Sequence, residues 1–165
     1  MKIYTKRGDF GETDLLKRRV KKSDLYIEVN GLLDEVMATI LVTKQYIKQK
    51  DMLDDLDKIH EFIFQMAYEI ALDDKNNYKV FEKDVLWLEK RIDDMDNKLE
   101  KLTKFIQLDQ SLAATWLNMS RVKTRTAERA LIALNDKLEV NMDTLKFINR
   151  LSDYFFTAGR IFNYT

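Results

Sequence analysis

The sequence predicts an all-α fold, a single five-helix bundle preceded by a polar N-terminal loop. The 165 residues include no proline and only four glycines, so the residues that usually interrupt helices are scarce. Apolar residues recur at three- and four-residue spacing over long stretches, which is typical of amphipathic helices. With 45% hydrophobic and 34% charged residues, the chain is long enough for one core and too short for two ordinary domains. We therefore expect one domain over residues 1–165, with an N-terminal segment at 1–22 and the bundle at 23–165.

The five helices are predicted to follow one another with short connections. Ser23 and Asp24 can cap a first helix that continues to Gln49, with an apolar stripe from Leu25 to Ile47. The periodicity then predicts helices at 51–72, 82–101, 111–135 and 143–162, and the sequence DDKNN breaks the chain after the second. Helices joined in this way pack as a bundle.

Composition excludes several classes of protein. No apolar run approaches the roughly 18 residues of a membrane span, and the N-terminus MKIYTKRGDF lacks the apolar core of a signal peptide. The absence of cysteine fits a reducing compartment and removes thiolate catalysis and Cys-ligated zinc. His60 is the only histidine, so a ferritin-like di-iron centre, which needs Glu-x-x-His on two helices, is excluded. We expect a cytoplasmic protein with no membrane partner and no metal ligated by its own side chains.

Charge is distributed unevenly along a chain whose formal net charge is zero. Residues 1–22 carry eight basic and three acidic side chains, whereas residues 51–101 carry eight basic and fifteen acidic ones. This local excess disfavours nucleic acid, which needs a broad basic face, and favours a small anion. Within it, TKRGDFGET combines two glycines with cationic side chains and can hold phosphate through backbone N–H groups. An ordinary polar turn remains the alternative.

Polar residues also recur near the apolar stripes of three predicted helices. Asp34 lies at the edge of the first stripe, and Asn149 lies among apolar residues of the fifth helix. Arg121, Arg125 and Glu128 are spaced by four and three residues, so they share one face of the fourth helix. We expect these groups to lean inward, where two arginines one turn apart could grip phosphate oxygens. A structural ion-pair network that fixes helix register is the alternative.

Five sequence blocks together resemble one family. IYTKRGDFGET, RRVKKSD, GLLDE, SRVKTRTAERA and FINRLSDYFF occur in the order found in ATP:cob(I)alamin adenosyltransferases of the propanediol-utilisation type, and they span nearly the whole chain. The resemblance implies a five-helix bundle, ferritin-like in appearance, that assembles as a homotrimer and binds ATP between subunits. The resemblance therefore implies that the phosphates bound by the N-terminal loop are those of ATP.

The resemblance also implies roles for individual residues. Asp34 matches an acidic residue of the family, and Arg121 matches the arginine that pairs with it. Arg125 matches the arginine that binds phosphate. Phe105 matches the aromatic residue that helps to exclude the lower axial ligand of the corrinoid. These four are the candidate catalytic residues. The candidate nucleotide-binding residues are Thr5, Lys6, Arg7, Gly8, Asp9, Gly11, Thr13, Lys22, Arg125, Glu128, Arg129 and Asn149.

The implied reaction needs no protein nucleophile. Reduced cobalt of the co-substrate cob(I)alamin attacks the C5′ carbon of ATP and expels tripolyphosphate, so the protein aligns the reactants and neutralises the leaving group together with Mg²⁺. The product, adenosylcobalamin, would pass to a cobalamin-dependent acceptor enzyme. This chemistry suits a chain that has no cysteine and one histidine.

Two departures from the family pattern leave alternatives open. Thr126 stands where a second consecutive arginine is usual, and FIQLDQS replaces FILPGGS beside the corrinoid. A catalytically weak paralogue that binds ATP or adenosylcobalamin as a carrier or sensor is therefore the second hypothesis. A structural bundle without a ligand is the third.

Overall fold

The structure is a computed structural model that describes residues 2–164, in which five α-helices follow a short β-hairpin. The strands are β1 (Glu12–Leu15) and β2 (Arg18–Lys21), and the helices are α1 (Leu25–Lys44), α2 (Lys50–Leu72), α3 (Glu82–Asp96), α4 (Leu112–Asn135) and α5 (Met142–Asn163). The predicted five-helix bundle is confirmed. Within the described range, none of the helices combines the length and the apolarity that a membrane span requires.

Side-chain caps fix where three of the helices begin. Asp24 accepts a hydrogen bond from the Tyr26 N–H at 3.0 Å, as predicted for the start of α1. Ser111 accepts one from the Ala114 N–H at 3.0 Å at the start of α4, and Asn141 caps α5 through the N–H of the second residue after it. These caps satisfy N–H groups that have no partner within the helix.

Helix α4 packs along both α1 and α5. Helix α2 packs on α1 and helix α3 packs on α5, and the core lies among these five helices. Leu33, Leu117 and Leu131 are fully buried where α1 and α4 contribute to it. Phe62 of α2 reaches Phe147 of α5 with ring centroids 5.0 Å apart, so α2 joins the same core. Burial of these apolar faces is the main force that stabilises the bundle.

Two helices end earlier than predicted. α1 stops at Lys44 instead of continuing to Gln49, because the N–H groups of Gln45 and Tyr46 turn back to carbonyls three residues earlier. Ile47 is nonetheless buried, so the apolar stripe continues into a connection that is not helical. α3 ends at Asp96 instead of residue 101, and the chain from 97 to 111 is a long connection.

The β-hairpin is an element that the sequence analysis did not predict. β1 and β2 pair antiparallel, with Leu15 opposite Arg18. Leu15 is buried, and the Arg18 guanidinium lies 4.2 Å from the centre of the Tyr26 ring, so the hairpin rests on the start of α1. The usual Asn-Gly or Asp-Gly signal is missing from its turn, which explains why the sequence pattern did not reveal it.

Buried carboxylates tie the helices together. Glu69 of α2 accepts hydrogen bonds from the Val80 N–H at 2.9 Å, the Thr144 hydroxyl at 2.8 Å and the Asn141 amide at 3.2 Å. Since the first partner precedes α3 and the others begin α5, one side chain joins three parts of the chain. A buried charge with this many donors is well compensated.

A second carboxylate, that of Asp55, joins α2 to α3 and α5. The Nε of Arg91 donates to both of its oxygens, at 2.7 and 3.0 Å, and the Tyr154 hydroxyl donates at 3.3 Å. Burial raises the pKa of Tyr154 well above its ordinary value, and the nearby Asp55 carboxylate adds to that rise. Both networks stabilise the fold, and none of their members is among the predicted site residues.

Candidate functional site

The N-terminal loop folds back on itself through hydrogen bonds of its own backbone. Lys6 and Gly11 both have positive φ, 61° and 83°, which reverses the chain twice within six residues. The Gly11 N–H bonds back to the Gly8 carbonyl at 3.2 Å, and the Lys22 N–H bonds to the Gly11 carbonyl at 2.8 Å. The loop thus closes onto the residue that follows the hairpin, and it brings predicted residues Gly8, Gly11 and Lys22 together.

Gly8 has a steric role beside Lys22. A Cβ atom at residue 8 would lie 3.0 Å from the Lys22 Nζ, so the absence of a side chain lets this ammonium approach the backbone. Thr5, Lys6, Arg7, Asp9 and Gly11 are exposed, whereas Gly8 and Thr13 are half-buried. An exposed loop that holds an ammonium over backbone is suited to binding phosphate oxygens.

A cluster of ion pairs holds the loop against the hairpin. The Arg7 guanidinium lies 3.1 Å from Asp14, and Arg19 contacts Asp14 at 2.9 Å and Glu12 at 3.0 Å. Arg19 also donates to the Arg7 carbonyl. The hydrogen bonds that Arg19 donates to Asp14 and then to Glu12 raise its pKa, so it stays charged. Sequence reasoning missed Arg19 and Asp14, because only the unpredicted hairpin brings them beside Arg7.

The predicted residues of α4 and α5 meet through one short contact. The Asn149 side-chain amide donates to the Glu128 carboxylate at 2.7 Å, and the Arg150 Nη1 donates to the Oδ1 of the same amide at 2.8 Å. The Nε of Arg150 in turn donates to Glu89 of α3 at 3.0 Å. These bonds fix the orientation of the Asn149 amide. Arg150, adjacent to Asn149 in the NRLSD block, is a supporting residue that sequence reasoning did not assign.

The arginines of α4 have different environments. Arg121 is half-buried and donates to Asn118 at 3.0 Å, and Arg129 donates to the Thr126 hydroxyl at 3.2 Å. Arg125 is exposed, and within the described part of the chain its side chain forms neither a hydrogen bond nor an ion pair. Thr126 therefore positions Arg129, while Arg125 is free to meet an anion.

The prediction that all these polar groups lean inward is wrong. Asp34, Arg125 and Asn149 are exposed, and only Arg121 and Glu128 are half-buried. Sequence spacing placed them at the edges of apolar stripes, and the bundle leaves those edges in solvent. The groups thus form an outer face and not an internal cavity.

Asp34 and Arg121 do not pair within one chain. Glu35 contacts Lys123 across the α1–α4 boundary, which shows which side of α1 faces α4. Successive residues of a helix are about 100° apart, so Asp34, next to Glu35, points away from the α1–α4 boundary. On α4, Arg121 precedes Lys123 by two residues and therefore lies on the opposite flank of that helix. The ion pair implied by the resemblance is accordingly not formed between these residues in the isolated chain.

Phe105 is held out from the fold on the connection between α3 and α4. Its side chain is fully exposed, while Leu108 packs against Gly159 of α5. The Gln110 N–H donates to the Asn163 side chain at 3.1 Å, and the Asn163 amide donates to the Gln107 carbonyl at 3.0 Å. The sequence that replaces Pro-Gly-Gly is therefore anchored on α5.

Fold and site together define a five-helix bundle that carries an exposed cationic loop at its N-terminus. Residues 3–162 match the family described as Cobalamin adenosyltransferase, and the chain belongs to that family. A corrinoid adenosyltransferase of Bacillus subtilis (strain 168) is 37% identical over 168 residues, which cover 99% of this chain and 87% of the relative. A corrinoid adenosyltransferase of Citrobacter freundii is 32% identical over 97% of this chain and 94% of its own length.

Two solved structures share the fold. A PduO-type ATP:corrinoid adenosyltransferase from Lactobacillus reuteri, a phenylalanine-to-histidine variant complexed with cobalamin and ATP, gives a TM-score of 0.91 at 35% identity and covers 99% of this chain and 91% of that chain. An arginine-to-lysine variant of such an enzyme from the same organism, complexed with ATP, gives 0.92 at 33% identity, with 98% and 94% covered. The resemblance stated from sequence is confirmed.

Proposed function

We propose that this chain transfers the 5′-deoxyadenosyl group of ATP to cob(I)alamin, giving adenosylcobalamin and tripolyphosphate. The observation that carries the proposal is the likeness over nearly the full chain to a structure complexed with cobalamin and ATP. The exposed phosphate-binding loop and the unpaired Arg125 agree with it. Cobalt(I) supplies the electron pair, the new cobalt–carbon bond forms at C5′, and the C5′–oxygen bond breaks as the triphosphate leaves.

The chain's own residues would bind and orient the nucleotide. Lys6, Lys22 and Arg125 offer cationic groups to the triphosphate, and the Gly8 N–H, which donates to no acceptor in the described chain, adds an uncharged donor. Asn149, held by Glu128 and Arg150, presents a fixed amide edge to the nucleotide. Alignment of C5′ with cobalt and neutralisation of the departing charge are the two contributions expected of the protein.

Mg²⁺ is expected to arrive with the phosphates of ATP. Among residues 2–164 no three histidine or acidic side chains are grouped so that they could hold a metal ion. Mg²⁺ usually keeps several waters and takes one or two carboxylates plus phosphate oxygens. Departing from the expectation that no side chain of this protein binds a metal, Asp9 fits that role. Its carboxylate has no hydrogen-bond or ion-pair partner in the described structure, whereas Asp14 is already paired with Arg7 and Arg19. Bound Mg²⁺ would neutralise charge on the leaving triphosphate.

Phe105 is proposed to occupy the lower face of the corrinoid and keep the lower axial ligand away from cobalt. Its full exposure on an anchored connection supports this role, since an apolar ring in water gains free energy by covering another apolar surface. Without a lower ligand, reduction to cob(I)alamin becomes more accessible. Leu108 and Gln110, which replace the usual turn, fix the chain just after Phe105 to α5.

The direct test is anaerobic incubation of the protein with ATP, Mg²⁺ and chemically reduced cobalamin. We expect the spectrum of cob(I)alamin to be replaced by that of adenosylcobalamin. ATP binding by calorimetry without product would indicate the carrier or sensor that the altered FIQLDQS segment suggested. Neither binding nor product would indicate a structural bundle.

A homotrimer with sites between subunits is also proposed. It is supported by the opposite orientations of Asp34 and Arg121, which let each residue meet its partner only across a boundary between copies. Delivery of the product to a cobalamin-dependent acceptor enzyme and a cytoplasmic location remain expectations from the sequence.

Mixed trimers test the shared site. Asp34→Asn and Arg121→Ala should each be nearly inactive, because each removes one member of the pair. In trimers assembled at random from equal amounts of both variants, about one quarter of the boundaries would join an intact Asp34 to an intact Arg121, and that fraction of activity should return. Co-expression with two affinity tags isolates the mixed trimers, in which one boundary in three is intact, so about one third of the parent activity should return in that fraction. Zero recovery would show that both residues must come from the same chain.

A further inference from the structure

A cavity of about 470 Å³ lies between the α3–α4 connection and the C-terminal end of α5. Four cationic residues line it, Lys98, Lys101, Lys104 and Arg160, against one acidic residue, Glu100. The preceding part of the chain is acidic, so this basic lining is a local feature. Its electrostatic field favours an anion.

The walls of the cavity are partly apolar. Leu99, Leu102, Ile106 and the ring of Tyr164 lie among the cationic groups. A volume of this size is within the range of about 300 to 1,000 Å³ that is common for small-molecule sites. A ligand that combines an aromatic or apolar part with one negative charge would match both kinds of lining.

The lysines of this cavity are available to a ligand. Arg160 is almost fully buried and is committed to the Asp96 carboxylate, 3.0 Å away, and to a backbone carbonyl of the connection. Lys98, Lys101 and Lys104 form no ion pair with any described residue. Arg160 therefore fixes the wall, and the three lysines supply the unpaired charge.

The cavity adjoins the residue proposed to lie beneath the corrinoid. Lys104 and Ile106 line it, and Phe105 stands between them with its ring in solvent. In cobalamin the lower ligand is a benzimidazole nucleotide joined to the ring by a phosphodiester. If Phe105 keeps that base away from cobalt, the nucleotide remains tethered to the ring and has to lie close to this segment of the chain.

We propose that this cavity binds the displaced nucleotide tail of the corrinoid, with the lysines facing its phosphodiester and the apolar wall facing its base. The proposal rests on the proposed adenosyltransferase function, and it adds a part of the site that recognises which corrinoid is bound. It predicts that the protein distinguishes cobalamin from cobinamide, which has the same ring without the nucleotide and its phosphate.

The experiment compares the two corrinoids with a pair of charge-matched variants. Lys101→Gln/Lys104→Gln removes two cations from the cavity, and Lys83→Gln/Lys90→Gln removes two from the exposed side of α3, outside the lining. The dissociation constants of cob(II)alamin and cob(II)inamide are measured by absorbance in the presence of ATP, and KM for each corrinoid is measured in the anaerobic assay. Exposed charge contacts are weak one by one, so two of them should change affinity by about five- to tenfold.

We expect the cavity variant to bind cobalamin about five- to tenfold more weakly and cobinamide unchanged, and the control variant to behave as the parent. Added salt should weaken cobalamin binding to the parent more than to the cavity variant. Equal losses for both corrinoids, or none, would overturn the inference even if turnover is normal. Preserved discrimination without turnover would instead uphold the cavity and reject the transferase. If the variant loses only inhibition by tripolyphosphate, the cavity binds the product and the inference is wrong.

Discussion

Arg125→Ala separates binding chemistry from folding more cleanly than any other change in the candidate site. The side chain is exposed, and no hydrogen bond or ion pair joins it to another described residue, so its removal should change the free energy of unfolding by at most about 0.5 kcal/mol. One lost charge-assisted contact to a developing anion costs about 2 to 4 kcal/mol in transition-state stabilisation. At about 1.36 kcal/mol per factor of ten, kcat/KM should fall about 30- to 1,000-fold.

The assay is the anaerobic formation of adenosylcobalamin, followed with ATP and cob(I)alamin varied in turn, beside urea unfolding of each variant. Arg125→Lys keeps the charge but loses the planar fork of donors, and it should lie between the parent and the alanine variant. Lys90→Ala, which removes an exposed cation of α3 paired with Asp94, serves as the control. It should leave kcat/KM unchanged and alter the free energy of unfolding by at most about 0.5 kcal/mol.

Two results would refute the reasoning about Arg125. Unchanged kcat/KM in the alanine variant would show that the side chain does not contact the triphosphate in the reacting complex. A loss of more than about 2 kcal/mol in unfolding free energy would show a structural role that its exposure does not suggest.

Three further changes test how the fold holds the site. Glu69→Gln replaces one carboxylate oxygen by an NH₂ group, so the Val80 N–H and the Thr144 hydroxyl would share one acceptor oxygen. The free energy of unfolding, measured in urea, should fall by about 2 to 4 kcal/mol. A loss under about 1 kcal/mol would contradict these hydrogen bonds. The pKa of Tyr154 is raised in the folded state, so above pH 10.0 the unfolded state loses this proton first and the free energy of unfolding falls as pH rises. Tyr154→Phe should make this fall shallower. Equal slopes in the parent and the variant would show that Tyr154 does not cause it. In Gly159→Ala the new Cβ would lie 2.7 Å from Leu108, so stability should drop by about 1 to 3 kcal/mol and KM for the corrinoid should rise. Adding Leu108→Ala should cost less than the sum of the two single changes, and strict additivity would exclude the clash.

The helices were predictable because apolar periodicity and caps act locally. Ser111 and Asp24 cap α4 and α1 where the sequence indicated, since each needs only the N–H groups of the following turn. The ends of α1 and α3 were predicted too far along the chain. Ile47 continues the apolar spacing and is buried, but it reaches the core from a connection, and spacing alone does not distinguish these cases.

The site was predictable as a set of residues and not as an arrangement. TKRGDFGET indicated phosphate because its composition offers glycine backbone and cations together, and the loop is exposed with Lys22 over Gly8. The support given by Arg19 depends on a hairpin whose turn, at Leu16, carries no glycine. Arg150 escaped notice because its role depends on Glu89 in another helix, a pairing that only tertiary structure reveals.

The buried carboxylates of this bundle differ from two of its exposed candidate site residues in how many partners they have. Glu69 and Asp55 are buried, and each carboxylate accepts several hydrogen bonds, because an unpaired buried charge would cost several kcal/mol, on the order of 3 to 5. Asp34 and Arg125 lie on exposed faces without a partner in the described chain, where water solvates them at little cost. A charge kept free in this way contributes little to the folded monomer, and we propose that it serves binding there. The same reasoning applies to Lys101 beside the fixed Arg160, and it is why the cavity is expected to hold an anion.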